Sequence, residues 1–461
     1  MREKILRTMN DLRLYALEKG GEVSLYYHEE DSYLMRFANS AISLNTNEHL
    51  IRLEITAYEG RKRASYAMIT DLDKVEDMKQ GIDTACEMVK HVMPLTYQPS
   101  VPVYENTYVD ENNYDPDLAL MSNEEKLAFF NQVVSGFETE EVKLSGIFSS
   151  GANTVAAVST RSEHPFFIKT SDAQVSIVLA HSRLKWEVQS EQSAQQKSDL
   201  DAGAMRAELE TLLHHYTNDT PQQIPLGKYN IVFGTAAIAD MLNFTRFIGF
   251  NGGLMKRGYS FLKEEEIGQK MFSDKFTFSD DPTRRETFPF GCDLYGISRH
   301  PFPLVVNGVF KAFAWQQDDA DEFSQRPTGH TVPHQSLCMA GGSRPVNSVS
   351  ELVKLQRESD ILYIPFLHYM NIVNPSKGIV TASSRFGALL LKQDGSVVVP
   401  YNVRMTQSLL DVFGDKLAWI AQDTLPYNTS LSYGARNPTS IVVPRFMQVN
   451  DLEISHSNSS Y

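Results

Sequence analysis

The sequence predicts an α+β protein, with an N-terminal α+β domain of antiparallel strands flanked by helices and a β-rich C-terminal domain. Three observations predict it. Ile5, Met9, Leu12 and Ala16 recur at helical steps and form a one-face apolar stripe. Ile51, Leu53, Ile55 and Ala57 alternate with Arg52, Glu54 and Thr56, the period of a half-buried strand. Asn307-Gly308 and Asp394-Gly395 sit between apolar runs, the strongest short-range hairpin signal.

Taken in order, the first helix ends at Gly20-Gly21. Strand-like runs follow at 23–28, 32–37, 41–44 and 50–58, then a polar turn at Glu59-Gly60-Arg61-Lys62 and a return strand over 64–69. Asp71 is placed to cap a second helix that carries Leu72, Val75, Met78, Ile82, Ala85 and Val89 on one face. These elements make up an expected domain over 1–95. Pro94, Pro99, Pro102 and Pro116 interrupt residues 94–118, which read as a linker. Ser122 and Glu125 have the spacing of a capping box, so a helix to about Val134 is expected. Strands dominate 142–188, with a turn expected at 149–153. The Gln/Ser-rich stretch 189–198 reads as exposed, and 199–216 as a helix ended by Asn218-Asp219 and Pro221. Residues 96–221 thus form a middle linker and helix/strand region. The remainder, 222–461, contains no strong linker: a buried strand at 229–233, a helix at 235–248, then many short strands between Gly, Pro and Asp turns.

At 461 residues, the chain is long enough for two to three domains. Hydrophobic residues make up 42%, which excludes a disordered or collagen-like chain. Lys plus Arg is 43 and Asp plus Glu is 57, so the net charge is −14. Such a surface repels phosphate backbones, and the longest basic run is Arg61-Lys62-Arg63, so no direct nucleic-acid contact is expected. Cys86, Cys292 and Cys338 are too scattered for a disulfide framework, which suits a reducing cytosol. The opening residues lack the apolar stretch of a targeting segment. The most apolar window, 231–250, contains Asp240, Asn243 and Arg246, so no membrane span is expected. The reading is a cytoplasmic protein.

A catalytic zinc site needs three protein ligands and an open position. None of the 12 histidines is followed by Glu on a helix with a second His one turn later. The best local cluster is His330, His334 and Cys338, spaced four and four, but Pro333 would break the helix that spacing needs. Loop histidines and a buried thiol are the expectation there. Gly-x-Ser-x-Gly is absent, and Gly249-Phe250-Asn251-Gly252-Gly253 lacks the Gly-Lys-Ser/Thr ending of a phosphate loop. Glu264-Glu265-Glu266 reads as a solvated face, and Asp280-Asp281-Pro282 as a tight turn.

From Lys228 onward a series of pieces resembles the TldD/PmbA family, also called modulator of DNA gyrase. The pieces are the strand at 229–233 before a helix, Arg257-Gly258-Tyr259-Ser260, Ile267-Gly268, Ser279-Asp280-Asp281-Pro282, the hairpin around Gly308, and Pro327-Thr328-Gly329-His330. In the N-terminal part, a strand ending Phe37-Ala38-Asn39-Ser40 and the helix from Asp71 also fit, so the resemblance covers nearly the whole chain in order. One branch of that family is a zinc metalloprotease with His-Glu-x-x-x-His on the helix after the strand at 229–233, plus a late Cys. Here Asn243, Phe244 and Ile248 stand where His, Glu and His would, and no Cys follows Cys338. The resemblance therefore implies the PmbA/TldE-like branch: no cofactor of its own, zinc only in a TldD-type partner, and a role in proteolysis of unfolded peptides or small proteins as a homodimer or mixed dimer. The alternative is a peptidase or hydrolase active in its own right, with the His330/His334 region as its site. Asp280, Asp281, Gly308, Thr328, Gly329 and His330 are the candidate substrate-binding residues. Gly329 allows close backbone approach and His330 offers a polar contact.

Overall fold

The described residues of the computed structural model are 1–217, 220–330, 335–430 and 436–458. Helix α1 (Arg2–Glu18) buries Ile5, Met9, Leu12 and Ala16, the stripe read from the sequence. The four expected strand runs fuse into two long strands, β1 (Glu22–Ala38) and β2 (Ala41–Glu59), followed by β3 (Lys62–Thr70). The acidic stretch 29–31 does not break β1, because Glu29 is paired with Ile51 on one side and Thr154 on the other. Helix α2 (Val75–His91) starts later than expected: Lys74 is its N-cap, and Asp71 accepts from the Asp73 N–H at 3.2 Å in a turn ahead of it. Met78, Ile82, Ala85 and Val89 pack with α1 against β1 to β3.

The chain continues through β4 (Tyr108–Asn113), α3 (Pro116–Ala119) and α4 (Asn123–Val134). The capping box forms as expected: Glu125 N donates to Ser122 Oγ at 3.2 Å, and Ser122 N to Glu125 Oε2 at 2.8 Å. Then come β5 (Val142–Ser159), β6 (Phe166–His181), β7 (Glu187–Ala194) and α5 (Ala202–Tyr216), capped by Asp201. The first sheet has the order β3-β2-β1-β5-β6-β4, with β7 also on β6. Strand β1 is bonded to both β2 and β5, so strands on the two sides of residue 95 share one sheet.

Two expectations fail here. Residues 149–153 make no turn; they are the middle of β5, paired with β1 and β6 on its two sides. Their small side chains serve a close approach rather than a bend: a Cβ on Gly151 would lie 2.0 Å from Asp31 O and 3.1 Å from Arg436 Nε. Likewise most of 189–198 is not exposed, Gln196 and Ser198 excepted. It includes most of β7, where Gln189 and Ser190 are buried. Those polar groups are tolerated because they pair, Gln189 Nε2 with Glu191 Oε2 at 2.9 Å and Ser190 Oγ with Glu208 Oε2 at 2.5 Å.

The C-terminal part opens with β8 (Gly227–Gly234) and α6 (Thr235–Gly249), close to expectation, then α7 (Gly252–Lys256). Next are β9 (Phe278–Asp280), β10 (Phe302–Val306), β11 (Val309–Phe310), α8 (Gln317–Phe323), β12 (Leu337–Met339) and α9 (Val349–Lys354). The chain then adds β13 (Ile361–Ile364), β14 (Phe366–Asn374), β15 (Ile379–Arg385), β16 (Leu389–Leu391), β17 (Val397–Val398) and β18 (Asn402–Ser408). Helix α10 (Leu409–Val412) leads to β19 (Leu417–Ile420), β20 (Thr424–Asn428), β21 (Ser440–Pro444) and β22 (Phe446–Asn458). A second sheet runs β11-β10-β9-β12-β21-β20, and a third β14-β15-β18-β22-β8-β13-β16-β17, with β19 on β22. Both hairpins form: Asn307 and Gly308 take φ of 47° and 80° between paired Val306 and Val309, and Leu391 pairs with Val397 across Asp394-Gly395. Helix α6 packs on β20 and β21 and on β8, β14 and β22, at the centre of the C-terminal core. The whole is α+β and β-rich towards the C-terminus.

Candidate functional site

Helix α6 carries Asn243, Phe244 and Ile248, the sequence's clearest departure from a metal-binding pattern. Gly234 sets its entry, because a Cβ there would stand 3.0 Å from Pro365 Cα. Along the helix, Ala237, Ile238, Met241, Leu242 and Ile248 are buried in the core, and Phe244 is half-buried against it. Asn243, Phe244 and Ile248 do not fit a zinc ion: an aromatic ring and a branched alkyl chain have no donor to offer, and neither activates water. Cys338 lies in β12, where burial pushes its thiol up to about 12, a poor state for a thiolate ligand. Among the described residues no group of three or more His, Cys, Asp or Glu side chains is placed to hold a metal ion.

At the C-terminal end of α6 the structure brings two of the six sequence candidates together. Asp280, fully buried at the end of β9, accepts from Arg299 Nη2 at 2.6 Å and from Ser336 N at 2.8 Å. His330 is 4% exposed, stacks on Phe302 at 4.4 Å between ring centres, and meets His300 O through Nε2 at 3.1 Å. Burial lowers its pKa, partly opposed by Asp280. Gln335 bridges the group to α6, donating to His330 O at 3.0 Å and accepting from Arg246 Nη1 at 2.8 Å. Burial brings the Arg246 guanidinium down to about 10, with Asp280 opposing. The space enclosed by Arg246, His330 and Gln335 is only about 10 Å3, room for about one water.

The other four candidates have local duties. Gly329 takes a left-handed φ of +75°, and a Cβ there would crowd Arg299 Cγ and Ile297 Cγ2, both at 3.2 Å. Thr328 is clamped to Trp315, whose N–H donates to its Oγ1 at 3.0 Å. Asp281 turns its side chain to Thr283, accepting from Thr283 N and Oγ1 at 3.0 and 2.7 Å in a tight turn, while its backbone N–H donates to Ser336 O at 2.7 Å. Gly308 makes the hairpin turn; a Cβ would meet Phe272 O at 2.4 Å. Of the His330/His334/Cys338 cluster, His334 lies outside the described residues, and Cys338 is on a strand rather than a helix.

A large cavity lies at the opposite end of α6. It measures about 600 Å3 and is walled by α5, β7, β20 and the first turns of α6 and α9. Glu191 and Glu208 face it from β7 and α5. Burial pushes Glu191 up to about 7, with Asp240 and Glu208 adding and Tyr427 and Gln189 opposing. Glu208 is raised by burial against a hydrogen bond from Ser190 and the charge of Arg445. Asp240, just inside α6, is pushed up to about 7 by burial alone. Glu191 and Glu208, raised by burial where they line the cleft, make it a candidate functional pocket; Asp240 lies behind that wall. Sequence reasoning missed these residues. The one available signal was Asp240, a lone acid in the most apolar window. The others come from stretches too far apart to be associated by pattern.

Comparison with known proteins agrees with the fold. Residues 226–456 match the family profile described as PmbA/TldA metallopeptidase C-terminal domain. No curated protein matches the chain. Among solved structures, TldE from Thermococcus kodakarensis superposes with a TM-score of 0.79 at 15% identity, covering 97% of this chain and 100% of that one. A putative modulator of DNA gyrase from Bacteroides thetaiotaomicron VPI-5482 gives 0.76 at 17% identity, over 97% of this chain and 98% of that one. Another from Thermotoga maritima MSB8 gives 0.74 at 15% identity, over 97% and 99%. At these identities the structures speak for the fold, and the profile, which spans half of the sequence, speaks for the family. On the ground of that profile the chain belongs to the TldD/PmbA family.

Proposed function

We propose that this chain is the non-catalytic, TldE/PmbA-like member of a two-component metalloprotease that acts on unfolded peptides or small proteins in the cytoplasm. The observation that carries this reading is α6. Where a metal-bearing relative would hold ligands, Ile248 is 1% exposed in the core and Phe244 packs beside it. Its contribution is then a wall and an interface rather than a reacting group. A TldD-type subunit would supply zinc and the activated water; the residues of this chain would position the peptide and complete the enclosure. Strand β14, an end strand of the third sheet, is the candidate surface for pairing with a second subunit or an extended peptide. The net charge of −14 speaks against direct DNA contact.

The test combines metal analysis with peptidase assays. The purified chain alone is expected to hold no stoichiometric zinc and to leave an unfolded peptide intact. Mixed with a metal-bearing TldD-type subunit, it should enter a common complex in sedimentation and increase chelator-sensitive cleavage. Chelator-sensitive cleavage by the isolated chain would instead establish the hydrolase reading, and indifference to the partner would remove the two-component one.

A further inference from the structure

We propose that the small pocket beside Arg246 is a binding site for a carboxylate carried next to an apolar group, as at the end of a peptide whose last residue is apolar. Arg246 stands in the last turn of α6, and its three guanidinium nitrogens have different fates. Nε is sealed inside the protein without a partner, and Nη1 donates to Gln335 Oε1 at 2.8 Å. Nη2 has no hydrogen bond or ion pair among the described residues and is not sealed. This outer amino group, rather than the buried Nε, is the one open to a ligand. Among the described residues that line the pocket there is no acid, and Arg246 is the one permanent charge.

The charge is not balanced from behind. Asp280 is the carboxylate within electrostatic reach of Arg246, but the two form no ion pair. Asp280 is committed to Arg299 Nη2 at 2.6 Å, with both side chains fully buried, and to Ser336 N at 2.8 Å. Two guanidiniums therefore share one carboxylate. Burial brings Arg246 down only to about 10, so it remains a cation at neutral pH. The C-terminal end of α6 attracts it weakly without giving Nη2 a hydrogen-bond acceptor. A cation held partly out of water without a counter-ion is costly, and an incoming anion removes that cost.

Size and lining select the anion. The enclosed space is about 10 Å3, enough for about one water-sized oxygen. A carboxylate can enter by one oxygen and keep the other at the mouth, and its plane matches that of the guanidinium. A phosphate would leave three oxygens outside, against an apolar ring. That ring is Phe247, which lines the pocket while 44% exposed and is placed to meet an apolar neighbour of the carboxylate. Asn251 also lines the pocket; its Oδ1 is taken by Leu254 N at 3.0 Å, which leaves its amide nitrogen to donate. In a chain of net charge −14, an anion settles only where the local surface is free of acids, as it is here. The proposal concerns binding by this chain alone and does not rest on the two-component reading.

The experiment is calorimetric titration of the whole chain with N-acetyl-Ala-Leu, N-acetyl-Ala-Leu-amide and N-acetyl-Glu-Leu-amide, the last carrying its carboxylate on a side chain. Saturable binding of N-acetyl-Ala-Leu is expected, about ten-fold or more tighter than its amide. Whichever of the two carboxylates binds tighter identifies the source, a chain end or an acidic side chain. Arg246→Gln should erase the preference for acid over amide, and Arg246→Lys should keep part of it. Phe247→Trp provides a second readout with Arg246 in place: its emission should shift with the acid and not with the amide. No saturable binding of either carboxylate at millimolar concentration, equal binding of acid and amide, or an undiminished preference in Arg246→Gln overturns the proposal. An emission that ignores the bound acid overturns it as well, and that test stands even where Arg246→Gln fails to fold.

Discussion

Arg436 reaches from the C-terminal part into the middle of the N-terminal sheet, where its Nε donates to Asp172 Oδ1 at 2.6 Å with both side chains fully buried. The guanidinium also donates to Ser149 Oγ at 3.0 Å and to Asp172 O at 2.9 Å. Its backbone is held too: the N–H donates to Glu30 Oε2, and the carbonyl meets His28 Nε2 at 2.8 Å. Glu30 is in turn paired with Arg52 at 2.7 Å. One residue thus ties the connection after β20 to β1, β5 and β6.

Removing that tie leaves a buried carboxylate uncompensated. Arg436→Met is expected to cost about 3–5 kcal/mol, the usual loss when one partner of a buried pair is deleted. Urea unfolding measures it, and a loss below about 1 kcal/mol would show that Asp172 finds other support. Adding Asp172→Leu to Arg436→Met should recover part of the loss, since the second charge is then gone as well.

The acids around the cavity give a pH prediction. Glu191 and Asp240 are held near 7, well above the ordinary carboxyl values of about 4 in the unfolded chain. The native state therefore holds these protons more tightly than the unfolded one. Their contribution to stability is complete below about pH 4 and is lost as pH rises through about 7. Glu191→Gln keeps a neutral group of the same shape. Its stability should fall less than the parent's between about pH 5 and 8, and parallel curves for the two would refute the assignment.

Helix α6 offers a packing test. Ile248→Ala should cost about 2–5 kcal/mol, because the side chain is 1% exposed within the C-terminal core. Phe244→Ala should cost less, since its ring is only half-buried. The reverse order, read from denaturation midpoints, would mean that Phe244 rather than Ile248 holds the helix in place.

The elements read best from the sequence were those whose residues specify them locally. Ile5 to Ala16 repeats at helical steps, Ser122 and Glu125 cap their own helix, and Asn307-Gly308 adopts positive φ within its own turn. What was misread depends on distant partners. Gln189 and Ser190 look solvent-facing until Glu191 and Glu208 are beside them. The six candidate residues were chosen from short motifs, and only Asp280 and His330 fall in one cluster, because Arg299, Ser336 and Gln335 join them across the fold. The cavity draws on β7, α5, α6, β20 and Arg445, a combination no local pattern contains.

The sharpest case of distant specification is Gly151, and it can be tested against a glycine of a different kind. Gly60 occupies a turn at φ +56°, and a Cβ there would have nothing within 4 Å, so Gly60→Ala meets only the left-handed backbone penalty of about 1–2 kcal/mol. Gly151 has no such φ; its constraint is space. A Cβ would stand 2.0 Å from Asp31 O, a backbone atom of the neighbouring strand that cannot move without opening the β1–β5 ladder. It would also stand 3.1 Å from Arg436 Nε, displacing the guanidinium from Asp172. Gly151→Ala should therefore cost more than Gly60→Ala. Part of that loss should disappear in an Arg436→Met background, because the two changes damage the same contact and neighbouring effects do not add. Strict additivity in the double-mutant cycle, or an order in which Gly60→Ala is the more harmful, would show that Gly151 is not held small by the Arg436 tie.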